Sequence, residues 1–179
     1  MNIFILDESP MIAASYHCDK HCVKMILETA QMLGSAVIRH GALPSQMPLT
    51  ASGKPYRGGY HYHPCTVWCG DTRKNFLWLC ELGISLCAEY TERYGKIHSC
   101  EPKITQLARL SNLIPMGELT DFAIAISDDS LCRSLPNFDS LSAVEKYREY
   151  YNHDKSRFAN WRLNTAPNWY KPIDKTIKA

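Results

Sequence analysis

Six polar side chains recur along one stretch of the sequence at the spacing of a single helix face. They lie at successive steps of four, three, four, three and four residues: His17, His21, Lys24, Glu28, Gln31 and Ser35. At about 100° per residue these positions fall within roughly 80° of arc. An imidazole, an ammonium and a carboxylate on an otherwise apolar helix are costly to bury unless they pair or line a wet cleft. The row therefore predicts a functional face that lines a cleft, and the alternatives are a solvated face or a satisfied buried network.

Four residues of this row are candidates for chemistry or for ligand binding. Glu28 is the best candidate for a general acid or base, because neighbouring cations or an apolar surround decide which form a carboxyl group takes. His21 is predicted to orient that carboxyl group or to contact the ligand, and a satisfied structural histidine is the alternative. Lys24 and Gln31 are candidate substrate contacts, although most helical lysines are simply solvated.

Further cations flank a second predicted helix. Arg73 and Lys74 lie near its start, Arg93 lies near its end, and His63 comes just before it. Two basic clusters that bracket an apolar helix are suited to binding phosphate groups. At the Arg93 end the alternative is a cation that interacts with the helix macrodipole.

The end of the chain interleaves aromatic and basic residues. Trp169 and Tyr170 are followed directly by Lys171. Such a segment can stack on bases while it neutralises phosphates, so we predict that these three residues bind DNA. The alternative is a terminal segment that packs its aromatic rings onto the core.

The elements that must position these residues are helical in pattern. The predicted helices span residues 10–39, 65–94, 103–111, 121–125 and 141–161. Between and after them lie a β-like run, a long loop and a basic aromatic tail, at residues 2–6, 43–59 and 168–179. Because almost no strand pairing is on offer, the predicted fold is mainly α: a single compact helical bundle with long connecting loops and an irregular C-terminal tail.

Composition bounds the class of protein. With 179 residues, of which 45% are hydrophobic, the chain can bury one ordinary core, so one domain is predicted over residues 1–179. Twenty basic against 18 acidic residues give a net charge of +2, which is not typical of a strong nucleic-acid binder unless the cations form a local patch. No apolar run approaches the roughly 18 residues of a membrane span, and no secretory signal is visible. A cytoplasmic protein is expected.

Eight cysteines are expected to be reduced thiols, because no export signal accompanies them. A zinc site remains an alternative for two sets of residues: His17, His21, Cys65 and Cys69, or His61, His63 and Cys65. No CxxC or HExxH spacing supports either set, so neither a metal nor another cofactor is predicted.

Three blocks of the sequence carry a resemblance to a known family. The C-terminus reads Pro167-x-Trp169-Tyr170-Lys171-x-x-x-Lys175-x-Ile177-x-Ala179. The other two blocks are Asp19-x-His21 with Glu28 seven residues further on, and His63-Pro64 followed by Phe76-Leu77 and by Glu89 to Arg93-x-Gly95. In their order and in the C-terminal spacing, these blocks resemble the phage-type pyrimidine-dimer DNA glycosylase (endonuclease V) family. The chain is longer than that family, with extra residues after Asp7, around the loop at 43–59 and before the last helix.

The resemblance implies a compact helical bundle and a reaction that removes a damaged base and then breaks the strand by β-elimination. In that family the N-terminal α-amine attacks the sugar C1′ and forms an imine. An α-amine is less basic than a lysine amine, so a larger fraction is neutral and nucleophilic at cell pH. The family begins with threonine after methionine removal, whereas Asn2 follows Met1 here, so the implied nucleophile is the amine of Met1. Glu28 would stabilise the cationic sugar and manage the proton transfers.

The sequence thus predicts a metal-free DNA glycosylase with associated AP-lyase activity on a damaged or modified pyrimidine. Its catalytic residues would be Glu28, Met1 and His21, and access to a lesion in duplex DNA would require nucleotide extrusion. The alternative is a non-catalytic nucleotide- or DNA-binding protein on the same scaffold, for example a phage antagonist of a host nucleotide signal. The longer loop and the different N-terminus favour that alternative.

Overall fold

A computed structural model describes residues 1–163 and 166–173 of the chain. These residues form six α-helices and no β-strand: α1 Pro10–Tyr16, α2 Asp19–Arg39, α3 Pro64–Asp71, α4 Arg73–Tyr94, α5 Glu101–Ala108 and α6 Ala143–Tyr150. Across the same two ranges, no helix is long and apolar enough to cross a membrane. The mainly α fold predicted from the sequence is confirmed.

Helix α2 lies at the centre of the bundle and packs against α3, α4 and α5, while α1 packs against α4. Its apolar positions recur every three or four residues and join one hydrophobic core, as the side chains of Met25, Ile26 and Leu33 show. The crossing with α4 is close at Gly83, where a Cβ atom would lie 2.6 Å from Cγ2 of Thr29. The core therefore fixes α2 on most of its circumference and leaves one polar face.

The β-like run at residues 2–6 is an irregular segment buried in the core. Ile3, Phe4, Ile5 and Leu6 are all buried, and no strand pairs with them in the described part of the chain. The guanidinium of Arg148 donates to the Leu6 carbonyl across 2.9 Å, which satisfies a backbone group that a sheet would otherwise pair. The apolar side chains of this segment, rather than a sheet, hold the start of the chain inside the bundle.

The prediction of a single helix over residues 10–39 is wrong in one respect, because the helix is broken at His17 and Cys18. Both residues have extended backbone and separate α1 from α2. Side chains and backbone from distant segments satisfy the groups that the break exposes. The guanidinium of Arg93 donates to the carbonyls of Ser15 and His17, and the amide of Asp19 donates to the carbonyl of Asn160.

The second predicted helix, over residues 65–94, is likewise two helices. Thr72 has extended backbone, and its hydroxyl accepts from the amide of Asn75, which makes it the N-cap of α4. The predicted end is confirmed, because Gly95 adopts the left-handed conformation that terminates α4.

The later boundaries differ more from the prediction. Residues 121–125 are not helical, and the backbone of Ala125 bonds to other segments instead: its carbonyl accepts from the side-chain amide of Asn2, and its amide donates to the hydroxyl of Tyr147. The helix predicted over residues 141–161 is shorter. It consists of α6, which begins with a capping box between Ser142 and Glu145, followed by a π-helical turn at Tyr151–Lys155. The short helix predicted over residues 103–111 is α5, displaced by two to three residues.

The Arg93 cluster gives the first testable prediction. The side chain of Arg93 is 1% exposed and pairs with Asp19 and Glu89, besides donating to two carbonyls. Removal of a buried charge leaves its buried partners unpaired, so Arg93→Met should lower the free energy of unfolding by about 3–5 kcal/mol in urea titrations. Lys74→Met is the matched control, since Lys74 forms an exposed ion pair with Glu118 and should cost less than about 1 kcal/mol. Equal losses in the two variants would contradict the structural role of Arg93.

Candidate active site

The carboxylate of Glu28 lies at the centre of a cluster of nitrogen atoms. Its Oε2 atom accepts from the backbone amide of Asn2 at 2.9 Å and lies 3.8 Å from the α-amine of Met1. Its Oε1 atom lies 3.1 Å from Nζ of Lys24, one turn earlier on α2. Glu28 is 6% exposed, so these three nitrogen atoms compensate a carboxylate that is largely removed from water.

Asn2 fixes the start of the chain against this carboxylate. Its side-chain amide donates to the carbonyl of Ala125 at 2.9 Å, and its side-chain oxygen accepts from the hydroxyl of Tyr147 at 2.7 Å. Because both ends of the side chain are bonded within the core, the backbone of Asn2 cannot rotate freely. The α-amine of Met1 is therefore held at a defined place beside Glu28.

A cavity of about 320 Å³ opens over these groups. Fourteen residues line it: Met1, Asn2, Phe4, Lys20, His21, Lys24, Met25, Glu28, Ala125, Ser127, Tyr150, Lys155, Arg157 and Phe158. Four of them carry cationic side chains, and Glu28 is the one carboxylate among the described residues that line it. Such a cavity suits an anionic ligand with an electrophilic carbon near the amine.

His21 lies in the wall of the cavity as a neutral ring. Its imidazole stacks on Phe4 with the ring centroids 4.2 Å apart, and Nδ1 is hydrogen-bonded to the hydroxyl of Tyr151 at 2.6 Å. Burial, together with the neighbouring cations, lowers the pKa of His21 to about 2. Burial also raises the pKa of Tyr151 well above its usual value, so both groups stay neutral at physiological pH. His21 can orient a ligand but is not a cation near neutral pH.

The remaining members of the polar row do not face the cavity. His17 is fully buried at the break between α1 and α2, where Nδ1 is hydrogen-bonded to the carbonyl of Ala13, and burial lowers its pKa to about 4. Gln31 and Ser35 lie against the loop before α3, and the Ser35 hydroxyl bonds both the amide and the carbonyl of Gly59. The row therefore divides into a cavity-lining part and a part that anchors a loop.

The predicted phosphate contacts of the second helix lie elsewhere in the fold. Arg73 donates to the carbonyls of Asn112 and Ile114 and ties α4 to a neighbouring turn. Lys74 pairs with Glu118, and Arg93 is buried at the α1–α2 break, where it donates to the carbonyl of His17. None of these three lines the cavity in the described part of the chain. Their structural partners, which are distant in sequence, explain their positions.

Of the predicted tail contacts, Trp169 is partly buried and packs against Tyr16 and Tyr151, with the guanidinium of Arg148 over its ring. Tyr170 is partly buried and packs on Trp161 with the ring centroids 4.7 Å apart. Lys171 is exposed and donates its backbone amide to Asn152. The tail thus packs its rings onto the core. Lys175, Ile177 and Ala179 of the C-terminal motif lie outside the described residues.

His63 lies at the entry to α3 and close enough to the site to be affected by its charges. Its Nδ1 atom accepts from the amide of Cys65 and caps the helix. Burial lowers its pKa, the positive α-amine lowers it further, and the carboxylate of Glu28 acts in the opposite direction. His63 is therefore an electrostatic neighbour of Met1 and Glu28, although it does not line the cavity.

Sequence reasoning missed most of the cavity rim. Lys20 precedes Lys24 by one helical turn, so the spacing of α2 could have identified it. Lys155, Arg157 and Phe158 come from the π-helical turn and the residues after it, and only the tertiary fold brings them to α2. Nζ of Lys155 bonds the hydroxyl of Tyr150 at 2.8 Å, which holds this cation at the rim.

The residues proposed for zinc do not converge. Within residues 1–163 and 166–173, no group of three or more His, Cys, Asp or Glu side chains could hold a metal ion. All eight cysteines are free and buried, and burial raises the pKa of each, for example that of Cys22 to about 12. They are packing residues rather than nucleophiles.

Comparison of the chain with protein-family models, with curated proteins and with solved structures finds no match in any of the three.

The two buried histidines predict a specific pH dependence of stability. An unfolded histidine has a pKa of about 6.5, so below that pH the unfolded chain takes up protons that folded His17 and His21 do not. Stability should be full above about pH 7 and fall below about pH 6.5 by about 1.4 kcal/mol per pH unit for each histidine, down to about pH 4 for His17 and about pH 2 for His21.

Urea titrations at about pH 7.5 and about pH 5.5 measure this loss. His21→Gln should remove the contribution of His21, about 1 kcal/mol over this interval, whereas His61→Gln at an exposed position should leave the loss unchanged. An unchanged loss in His21→Gln would contradict the assignment.

Proposed function

We propose that this protein is a DNA glycosylase with AP-lyase activity that forms an imine between the α-amine of Met1 and C1′ of a deoxyribose. The observation that carries the proposal is the α-amine 3.8 Å from the buried carboxylate of Glu28, inside a cavity that four cations border. A primary amine and an adjacent carboxylate are the two groups that imine chemistry at a sugar requires.

Each step can be assigned to these groups. The lone pair of the neutral amine forms a bond to C1′, while the bond to the base breaks and its electron pair leaves with the base. A proton passes from the amine nitrogen through Glu28 to the ring oxygen, so the sugar opens and the imine forms. Loss of a C2′ proton then breaks the C3′–O bond, and water hydrolyses the imine and restores the amine. Glu28 stabilises the positive charge that develops at C1′.

The cations supply the reason for choosing DNA as the substrate. Lys20 and Lys24 lie on α2, and Lys155 and Arg157 face them from the segment after α6. Phosphates on either side of a target sugar would meet cations on both sides of the cavity. His21 and Phe4 offer a flat wall against which an extruded base can lie. A damaged or modified pyrimidine remains the proposed base, and eight free thiols agree with a cytoplasmic location.

Borohydride trapping tests the proposal. The wild-type protein should form a covalent complex with DNA that carries an abasic site or a pyrimidine lesion. Glu28→Gln keeps the side-chain volume and should slow turnover by about 10²–10³-fold while the Kd for DNA changes by less than about threefold. Glu81→Gln, at an exposed position of α4, is the control and should turn over normally. Absence of trapping with abasic DNA would overturn the proposal.

Peptide mass spectrometry of the trapped complex identifies the amine. The adduct should be on Met1. If the cell removes Met1, the nitrogen of Asn2 becomes the amine, and it lies 2.9 Å from the same carboxylate. An adduct on Lys24 would contradict the role assigned to the start of the chain.

Salt dependence tests the cationic rim. Lys155→Gln and Arg157→Gln should each weaken DNA binding and reduce the slope of log K against log salt by about one. Lys96→Gln removes an exposed cation that does not line the cavity and should change the slope by much less. Equal slopes in all variants would exclude the rim as the phosphate contact.

The size of the cavity favours one second candidate, a binding protein for a small nucleotide. Its volume of about 320 Å³ lies at the lower end of the range of about 300–1,000 Å³ for small-molecule sites. Calorimetric titration with mononucleotides and cyclic dinucleotides tests it. Tight binding without product on long incubation, together with no borohydride trapping, would select this function over the first.

A further inference from the structure

Two tyrosines project from the connection before α3 without packing on the core. Tyr62 is 95% exposed and Tyr60 is 60% exposed, and the exposed imidazole of His61 lies between them. We call residues 60–62 the aromatic loop. Exposed aromatic rings that lie close together in the sequence are costly to leave in water. These two rings neither pack in the core nor take part in the proposed reaction.

The aromatic loop is anchored to α2 on its N-terminal side and is closed by a turn on the other side. On its N-terminal side, the amide of Gly59 donates to the carbonyl of Gln31, and Ser35 bonds both backbone groups of Gly59. Gly58 fits against α2 so closely that a Cβ atom would lie 2.4 Å from the Ser35 nitrogen. The turn on the other side is closed by the amide of His63, which donates to the carbonyl of Tyr60.

Tyr60 has a backbone strain that this anchoring explains. Its φ of 56° is in the left-handed region, which residues other than glycine seldom adopt. Such a conformation persists only where the surrounding structure imposes it, and it is concentrated at functional sites. The loop is therefore presented as a fixed feature of the surface.

The anchor places the aromatic loop next to the candidate site. Gln31 lies one turn beyond Glu28 on α2, about 4.5 Å further along the axis at 1.5 Å per residue. Lys20 and Lys24 lie in the other direction, at about 12 Å and 6 Å from Glu28 along the axis. His63, directly after the loop, is affected by the charges of both Met1 and Glu28. Along α2 the order is therefore cations, amine and carboxylate, then aromatic rings.

We propose that the aromatic loop stacks on the bases next to the nucleotide held in the cavity, with Tyr62 as the ring that enters the base stack. The inference rests on the proposed function, because it takes DNA as the ligand. A strand laid along α2 would place a phosphate at Lys20 and Lys24, the target sugar at Met1, and the neighbouring base against Tyr60 and Tyr62. An inserted ring also fills the gap that an extruded nucleotide leaves, which offsets the unstacking cost.

The linear order favours a nucleic acid over a protein partner. In a nucleic-acid strand, phosphate, sugar and base follow one another at a short, regular spacing. A protein that binds such a strand needs cations for the phosphate, reactive groups for the sugar and aromatic rings for the base, in the order in which they occur along α2. Stacking of a base on an aromatic ring also depends little on the base sequence, which suits a protein that recognises a damaged nucleotide in any sequence.

The experiment compares wild type, Tyr62→Ala and Tyr62→Phe on duplex DNA with an abasic site flanked by 2-aminopurine. Insertion of Tyr62 should change the 2-aminopurine fluorescence on binding, and Tyr62→Ala should abolish the change and raise the Kd about tenfold. Tyr62→Phe retains the ring and should restore both values to within about twofold of wild type. Ile97→Ala, which removes another exposed apolar side chain, is the control and should behave as wild type.

Borohydride trapping of the same variants on single-stranded abasic DNA separates the two proposals. Trapping by wild type, together with a fluorescence change on duplex DNA that Tyr62→Ala loses and Tyr62→Phe restores, supports both proposals. Trapping by wild type with identical duplex binding and fluorescence in Tyr62→Ala would overturn the stacking role and leave the lyase intact. A ring-dependent fluorescence change without trapping by any variant would overturn the lyase and leave the stacking surface.

Discussion

The buried carboxylate of Glu28 is the constraint on which the rest of the site depends. A carboxylate that is 6% exposed is costly unless partners replace its water, and here they are Lys24, the Asn2 amide and the α-amine of Met1. Two of the three belong to the first two residues of the chain. Burial of Glu28 and burial of residues 2–6 therefore require each other, and the bonds of Asn2 to Ala125 and Tyr147 extend this dependence to α6.

The cavity-lining part of the site was accessible to sequence reasoning because helical periodicity is local. His21, Lys24 and Glu28 share a face for the same reason that any residues three or four apart do, and the structure brings all three to one cavity. The break at His17 was not accessible. The guanidinium that satisfies the carbonyl of His17 comes from Arg93, which lies 76 residues further along the chain. The amide of Asp19, two residues after His17, donates to the carbonyl of Asn160. Sequence patterns report propensity, whereas these groups compete with the helix only after folding.

The same distinction explains the cations of the rim. The apolar periodicity of the sequence predicted a last helix that continues to residue 161, but α6 ends at Tyr150 and a π-helical turn follows from Tyr151. Asp154, within that turn, accepts from the amides of Leu131 and Cys132, so a distant segment fixes its geometry. Lys155 and Arg157 reach the cavity because of this turn. A net charge of +2 gave no sign of them, since a local patch depends on where the 20 cations lie and not on their excess over the anions.

The unequal distances around Glu28 bear on how one carboxylate can both hold an amine and let it react. The Asn2 amide at 2.9 Å and Lys24 at 3.1 Å lie within hydrogen-bond distance, whereas the Met1 amine at 3.8 Å does not. The carboxylate would therefore keep two close partners if the amine moved toward a sugar carbon. Departure of the amine leaves Glu28 compensated and in place, as a group that shuttles protons must be. The loosest of the three contacts is thus the one suited to chemistry, and the two tighter contacts are suited to holding the carboxylate in position.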